Sequence, residues 1–200
     1  MGETNVKNGK RRFLVVATSV AGGAAAVAVA APFVASMFPS ARAKAAGAPV
    51  EVDISKVEPG MMIRAEWRSK PVWIVHRTPD MVEGLKKIDN RVADPDSERP
   101  MQPAYAKNEY RSIKPEWLVL VGICTHLGCS PSDKLKAGPD SGLGDDWPGG
   151  FFCPCHGSKF DLAGRVFKDV PAPTNLEVPK YQFLTDTRLV IGEDGKGASA

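Results

Sequence analysis

The globular part of this sequence lacks a cluster of basic residues. The 200 residues carry 26 Lys and Arg against 23 Asp and Glu, which gives a formal net charge of +3. Six of the basic residues, but only one acid, lie in residues 1–49, so residues 50–200 are slightly acidic. A nucleic-acid-binding domain concentrates Lys and Arg on one face. The sequence therefore predicts no nucleic-acid partner.

Internal repeats and alternating strand–helix units are also missing, which argues against a parallel α/β fold. Apolar runs of strand type occur instead, with a hairpin pattern near the C-terminal end. We expect a short helix at residues 80–87 and a proline-rich irregular segment at residues 92–115. The predicted fold class is mostly antiparallel β with one membrane helix. The predicted strands are residues 50–54, 61–67, 71–76 and 117–123 and the hairpin 181–192.

Charged side chains are absent from residues 13–38, a run of 26 residues. As a helix this run is about 39 Å long, which exceeds the thickness of a hydrocarbon core of about 30 Å. Lys10, Arg11 and Arg12 precede it directly. Positive residues stay on the cytoplasmic side. The sequence therefore predicts a cytoplasmic N-terminus at residues 1–12, an anchor at residues 13–38 and export of the remainder.

A cleaved signal peptide is the alternative to an anchor, because Ala-x-Ala motifs occur between Ala41 and Ala45. The apolar run is longer than the usual signal-peptide core of about 7–15 residues, which favours the anchor. The letters RRFL at residues 11–14 are similar to a twin-arginine export signal, with a simple basic flank as the alternative. Residues 39–49, rich in alanine, predict a flexible hinge. The globular domain is expected at residues 50–200.

Cysteine and histidine are scarce, with four and three residues respectively. All four cysteines and two of the histidines lie in CTHLGC (residues 124–129) and CPCHGS (residues 153–158). A zinc site needs only four of these six side chains. Two disulfides would leave both histidines without a role. An iron–sulfur cluster bound by one Cys and one His from each loop, with a disulfide between the remaining cysteines, uses all six.

The two loops resemble the cluster-binding boxes of the Rieske iron–sulfur proteins, which bind a [2Fe–2S] cluster through two cysteines and two histidines. The resemblance extends over residues 11–192 and includes FDLAGRVFKDVPAPTNLEVP after the second box. It implies a Rieske-type β sandwich with a small cluster-binding part at about residues 120–173. The implied site has Cys124 and Cys153 on one iron, His126 and His156 on the other, and a disulfide between Cys129 and Cys155.

Within this family the sequence is most similar to the iron–sulfur subunit of ubiquinol–cytochrome c reductase. That resemblance implies a quinol–cytochrome c oxidoreductase subunit in which His126 and His156 couple electron and proton transfer from quinol. It also implies a cytochrome b subunit, a c-type cytochrome and a dimeric complex in a bacterial inner membrane, with the soluble domain on the periplasmic side. An exported small subunit of an arsenite-oxidase-like enzyme, and a structural zinc module, are the alternatives.

Several further residues have roles that only the resemblance implies. Ser158 is expected to donate a hydrogen bond to a cluster sulfur, and Leu127 to help dock the tip at the quinol site. Pro171 and Pro173 are similar to the family's cluster-covering loop, although KDVPAP departs from the usual pattern. Phe160 replaces a tyrosine that many members use to bond a ligand cysteine. The third histidine, His76, is expected to be structural.

Overall fold

A computed structural model describes residues 8–195, and the chain divides into two compact units, Met1–Ala45 and Ala46–Ala200. Residues 1–7 of the predicted cytoplasmic segment and residues 196–200 of the predicted domain lie outside the described residues.

The first unit contains one long helix, α1 (Asn8–Ser36), which is 29 residues long. Pro32 lies inside it near the C-terminal end, a position that membrane helices tolerate. The large apolar side chains along α1 are exposed; Phe13, for example, is 71% exposed and Phe33 is 70% exposed. An apolar helix of this length is long enough to cross a membrane. The helix begins five residues before the uncharged run and ends two residues before its end.

A short second helix, α2 (Ala41–Ala46), lies within the predicted hinge. Ser40 caps it, since its Oγ accepts a hydrogen bond of 3.1 Å from the N–H of Ala43 and its carbonyl accepts one of 2.9 Å from Lys44. Residues 39–49 are therefore partly helical.

Within residues 46–195, the second unit is built from three small antiparallel sheets, each of three strands. The first sheet has the order β1-β9-β8, the second β2-β3-β4 and the third β5-β6-β7. All three sheets contribute to one continuous apolar core. The five side chains of β4 are all buried, and four of them belong to this core. The strands are β1 (Val50–Asp53), β2 (Met62–Trp67), β3 (Lys70–His76), β4 (Trp117–Val121), β5 (Ser132–Lys134), β6 (Gly150–Phe152), β7 (Lys159–Phe160), β8 (Tyr181–Thr185) and β9 (Arg188–Ile191).

The predicted strands and the predicted hairpin are confirmed, as is the helix, α3 (Pro79–Lys86). The Oγ of Thr78 accepts a hydrogen bond from Met81 N–H and so caps α3, while Pro79 occupies its first turn. The proline-rich segment contains a single 3-10 turn, Ala104–Ala106. The three strands of the third sheet were not predicted, because two or three residues are too few to show a periodicity.

The third sheet packs against the second through an aromatic contact. The rings of Trp73 in β3 and Phe151 in β6 are stacked with centroids 4.9 Å apart. Gly122, directly after β4, lies under the same tryptophan, and a Cβ there would come within 2.2 Å of the indole ring. The close approach therefore requires glycine at this position, two residues before the first cysteine loop.

Two buried arginines attach the segment after the second cysteine loop to the rest of the unit. The guanidinium of Arg77 donates to the carbonyls of Leu162 (2.9 Å) and Tyr110 (3.0 Å). The guanidinium of Arg111 donates to the carbonyls of Leu176 (2.8 Å) and Ala163 (3.1 Å). Burial lowers the pKa of both arginines to about 10, so both remain charged at neutral pH.

A third buried arginine, Arg165, forms an ion pair with the equally buried Asp161 at 2.7 Å. Asp161 also accepts hydrogen bonds from the N–H groups of Ala163 and Arg165, both at 2.8 Å, and so closes a tight turn. The guanidinium of Arg165 also donates a hydrogen bond of 2.7 Å to the carboxylate of Asp89. This turn supports the strand that leaves the second cysteine loop.

Candidate cluster-binding site

The first cysteine loop begins at Cys124, with only two residues between it and β4, so the buried strand fixes where it begins. The N–H of Cys124 donates to the carbonyl of Cys129 at 2.7 Å, and the N–H of Gly128 donates to the carbonyl of Cys124 at 3.0 Å. Gly128 has a φ of 84°, in the left-handed region that favours glycine. The two bonds close a turn that buries Cys124 and leaves Leu127 exposed.

The second loop, between β6 and β7, has the same backbone turn. The N–H of Cys153 donates to the carbonyl of Ser158 at 2.8 Å, and the N–H of Gly157 donates to the carbonyl of Cys153 at 2.9 Å. Gly157 has a φ of 80°. The two loops therefore share one backbone turn and face each other. Each begins with a buried cysteine.

A disulfide joins the two loops between Cys129 and Cys155, whose Cα atoms are 6.7 Å apart. The sulfur of Cys153 lies within 4.8 Å of both sulfurs of this disulfide. A disulfide sulfur is no longer a thiolate, so neither of these two cysteines is available to a metal while the bond exists. The thiols that remain free are Cys124 and Cys153, both 2% exposed.

The two histidines of the loops lie side by side. The rings of His126 and His156 have centroids 4.7 Å apart and are almost perpendicular, at 88°. Nδ1 of His126 is buried and has no hydrogen-bond partner in the part of the chain that the structure describes. A buried ring nitrogen without a partner is costly unless something else binds it. The ring of His156 is exposed.

Burial raises the pKa of the Cys124 thiol above its usual value, because the thiolate loses its hydration. The Cys153 thiol and the Ser158 hydroxyl both act on the pKa of the Cys124 thiol, the first raising it and the second lowering it. A thiolate here therefore needs a nearby positive charge, which iron provides. Two buried thiols, two adjacent imidazoles and an orphaned Nδ1 fit the donor set of a Rieske cluster.

The proline-containing loop is attached to both cysteine loops. The hydroxyl of Thr125 donates to the carbonyl of Thr174 at 2.7 Å, and the N–H of Ala172 donates to the Oγ of Ser158 at 3.0 Å. Since Ser158 accepts this bond, its own O–H proton remains available as a donor. The guanidinium of Arg99 also donates to the carbonyl of Pro173. The altered KDVPAP sequence thus still forms a loop attached to the site.

Three further residues discussed in the sequence analysis, Leu127, Phe160 and His76, lie in different environments. Leu127 is 72% exposed at the tip of the first loop, beside His126. Phe160 is fully buried in β7, opposite Phe151. His76 is remote from this constellation, since its Nδ1 lies 2.7 Å from the carbonyl of Val57 and its ring stacks on Trp117.

Thr125 and Arg99 were not predicted to support the site. Thr125 lies inside the first box, so its position in the motif could have indicated that it supports the site. No sequence feature indicated a role for Arg99, because its bond to Pro173 joins residues 74 positions apart.

Removing the disulfide should make the site labile. In the chain-entropy model, a bond that closes a loop of 26 residues stabilises the folded state by about 3.5 kcal/mol. We expect Cys129→Ser to shorten the half-life of the visible absorbance of the loaded protein at raised temperature. Cys155→Ser and the double variant should be equally labile, because all three changes remove the same bond. Half-lives equal to that of the parent protein would contradict this expectation.

Comparisons with known proteins identify the family of this chain. The family described as the Rieske [2Fe-2S] domain matches residues 105–182, and the family described as the ubiquinol–cytochrome c reductase Fe-S subunit TAT signal matches residues 1–40. The ubiquinol-cytochrome c reductase iron-sulfur subunit of Allochromatium vinosum is 61% identical over 194 residues, which cover 97% of this chain and 93% of that protein.

The subunit of the same description from Blastochloris viridis is 45% identical over 184 residues, which cover 92% of each chain. A solved structure described as a hyperthermophilic respiratory Complex III has a chain that is 24% identical, with a TM-score of 0.47, and the match covers 88% of this chain and 99% of that one. High identity over almost the whole length, together with two boxes whose thiols and imidazoles converge, leads to one assignment. The chain belongs to the family of Rieske [2Fe–2S] iron–sulfur subunits of ubiquinol–cytochrome c reductase.

Proposed function

We propose that Cys124 and Cys153 bind one iron of the [2Fe–2S] cluster and that His126 and His156 bind the other. The disulfide leaves Cys124 and Cys153 as the free thiols, and these two lie together. The two rings lie 4.7 Å apart on the same pair of loops. The orphaned Nδ1 of His126 carries this proposal, because iron is the partner that this buried nitrogen otherwise lacks.

We propose further that the chain accepts an electron and a proton from quinol and passes the electron to a c-type cytochrome. When bound, the cluster supplies a one-electron acceptor whose redox state alters the basicity of the imidazoles on it. His156 is exposed, so its solvent-facing ring nitrogen can hold or release a proton. With Nδ1 of His126 buried, the other nitrogen of that ring, Nε2, is its proton-carrying atom. The burial of both cysteines excludes water from the sulfur side.

The tip around the histidines has an apolar edge that suits a membrane-level quinol site. Leu127 is 72% exposed, and Pro171 and Pro173 are exposed on the neighbouring loop. Exposed apolar side chains of this kind gain free energy when a partner covers them. The cytochrome b subunit is the partner that would hold the quinol here.

The complex in which this subunit works follows from its family, and its finer arrangement is part of the proposal. We assign it a cytochrome b subunit and a c-type cytochrome as partners, in a dimeric complex of a bacterial inner membrane. Helix α1 would span that membrane. Lys10, Arg11 and Arg12 at its start favour a cytoplasmic N-terminus and a periplasmic globular domain.

The ligand proposal can be tested directly on membranes. Reduction with dithionite should give the electron paramagnetic resonance spectrum typical of Rieske clusters, and the purified chain should contain two irons and no zinc. A stoichiometric zinc content without iron would refute the proposal. Quinol-dependent reduction of a c-type cytochrome in the same membranes tests the electron-transfer role.

A stiffer tether should slow turnover, if residues 39–49 are the hinge that lets the globular domain reach two partners. The change is Gly47→Pro with Ala48→Pro, which with Pro49 gives three consecutive prolines that favour a rigid extended segment. We expect quinol–cytochrome c turnover to fall severalfold while the cluster spectrum and potential stay the same.

The matched control for the tether is Gly47→Ala with Ala48→Ser, which changes the same positions without fixing φ. It should turn over like the parent protein. Equal turnover in the proline variant and in this control, with the complex fully assembled, would refute the hinge.

Phe160→Tyr should raise the midpoint potential, because the family's tyrosine at this position donates to a cysteine sulfur and stabilises the reduced cluster. A bond that is stronger by about 1 kcal/mol in the reduced state corresponds to about 40 mV for one electron. Redox titration followed by circular dichroism measures the shift. Phe167→Tyr is the control, since Phe167 is also buried but stacks on Trp147 in a separate apolar cluster. A fall, or no shift, for Phe160→Tyr would show that the hydroxyl does not reach the sulfur.

A further inference from the structure

The free cysteine of the second loop lies beside the disulfide that joins the two loops. The sulfurs of Cys153, Cys155 and Cys129 are all within 4.8 Å of one another. Cys153 is buried and is not part of a disulfide, whereas Cys155 is exposed. A thiol held this close to a disulfide is a potential nucleophile toward it. Bound iron would occupy the sulfur of Cys153, so the reactivity belongs to the chain without its cluster.

We propose that, in the cluster-free chain, Cys153 attacks the Cys129–Cys155 disulfide and replaces it with a Cys129–Cys153 disulfide. The Cys153 thiolate forms a bond to Sγ of Cys129, the Cys129–Cys155 bond breaks, and Cys155 leaves as a thiolate. The proton that Cys153 gives up is matched by the proton that Cys155 takes from solvent. The number of disulfides is unchanged, so the exchange needs neither an oxidant nor a reductant.

Cys129 is the target, rather than Cys155, for a geometric reason. A bond between Cys153 and Cys155 would have to close across the single residue Pro154, whose ring fixes φ, and disulfides tolerate little distortion. Cys129 comes from the other loop, so attack there keeps the two loops joined. The leaving sulfur, that of Cys155, then lies at the exposed surface, where solvent stabilises its thiolate.

The folded backbone keeps the reacting sulfurs together without iron. Each loop is closed by its own two backbone hydrogen bonds, and none of these involves a side chain that would bind the cluster. The exchange therefore needs rotation of these cysteine side chains to bring the three sulfurs into line, and it does not require the loops to unfold. Its product has lost one of the thiols assigned to iron, a consequence that rests on the proposed ligands. A chain that loses its cluster thus becomes unable to bind a new one until a reductant restores Cys153.

The test follows the disulfide map of the full-length chain in detergent after its cluster has been removed with acid and a chelator. Samples taken over time at neutral pH are quenched in acid and denatured. Their free thiols are labelled with iodoacetamide, and the remaining cysteines are reduced and labelled with N-ethylmaleimide. Tandem mass spectrometry then assigns each label to its cysteine. We expect iodoacetamide to disappear from Cys153 and to appear on Cys155, while Cys124 keeps it throughout.

Two variants and one denatured sample serve as controls. Cys153→Ser removes the nucleophile and should preserve the Cys129–Cys155 bond indefinitely. Cys124→Ser leaves the three sulfurs in place and should still exchange. Iodoacetamide that stays on Cys124 and Cys153 at all times would overturn the proposal. A mixture identical to that of a sample kept in denaturant, with Cys124 also paired, would overturn it as well, because the exchange would then come from unfolding.

The assay contains no iron, so its result is independent of the ligand assignment. Failure of the exchange would leave the resonance spectrum and the iron content of the loaded protein as they are. Failure of the ligand assignment would appear in those two measurements and would leave the disulfide map unchanged.

Discussion

Replacement of His126 or His156 by glutamine should abolish the Rieske-type resonance of reduced membranes and lower the iron content of the purified chain to background. An amide is a poor substitute for imidazole on iron, and each iron of the proposed site has only two protein ligands. Loss of one ligand would also expose the cluster to water, since His156 already lies at the surface. Immunoblots of the membranes establish whether the chain itself is still present.

His76→Gln is the matched control for these two variants. His76 bonds to the carbonyl of Val57 and stacks on Trp117, so the change should cost stability of about 1 kcal/mol and leave the spectrum intact. Disappearance of the signal in His76→Gln, or its persistence in His126→Gln or His156→Gln, would show that the ligands have been assigned incorrectly.

Arg111→Met should destabilise the globular unit by about 3 kcal/mol or more, because it leaves several buried carbonyls without a donor. Arg111 is fully buried, and its guanidinium donates to the carbonyls of Ala163 and Leu176 and to Oε1 of Gln102. It also has a φ of 50°, an unfavourable backbone conformation that these bonds maintain. The measurement is the temperature at which the loaded protein loses its visible circular dichroism.

Two variants show whether the effect comes from the hydrogen bonds of Arg111. Arg111→Lys keeps the charge but not the planar set of donors, so it should recover only part of the stability. Arg64→Met removes an arginine whose ion pair with Asp133 is largely exposed, and it should change the unfolding temperature little. Equal unfolding temperatures for Arg111→Met and Arg64→Met would show that the buried network contributes nothing.

Much of the fold was predictable because its signals are local. The strands that became β1 to β4, helix α3 and the final hairpin each have a recognisable apolar pattern or a cap within their own residues. The strands β5 to β7 were missed for the opposite reason, since they are very short and are held in place by pairing with one another. The turn between β2 and β3 also could not be predicted from the sequence, because Arg68 and Ser69 adopt positive φ and neither is a glycine.

The sequence by itself determined the long apolar helix and the six Cys and His side chains of the two boxes, because composition, length and spacing are properties of the chain alone. Only the tertiary structure decided how these side chains are arranged. It leaves Nδ1 of His126 without a partner and attaches the proline loop through Thr125 and Ser158.

The burial of Arg77, Arg111 and Arg165 was likewise invisible in the sequence, where a charged residue is expected at the surface. Each is buried because carbonyls or a carboxylate from distant parts of the chain surround it, up to 85 positions away for Arg77. Contacts of this kind form only when the whole chain has folded. The side chains that give the site its chemistry therefore lie in two short segments, whereas their arrangement depends on the rest of the globular unit.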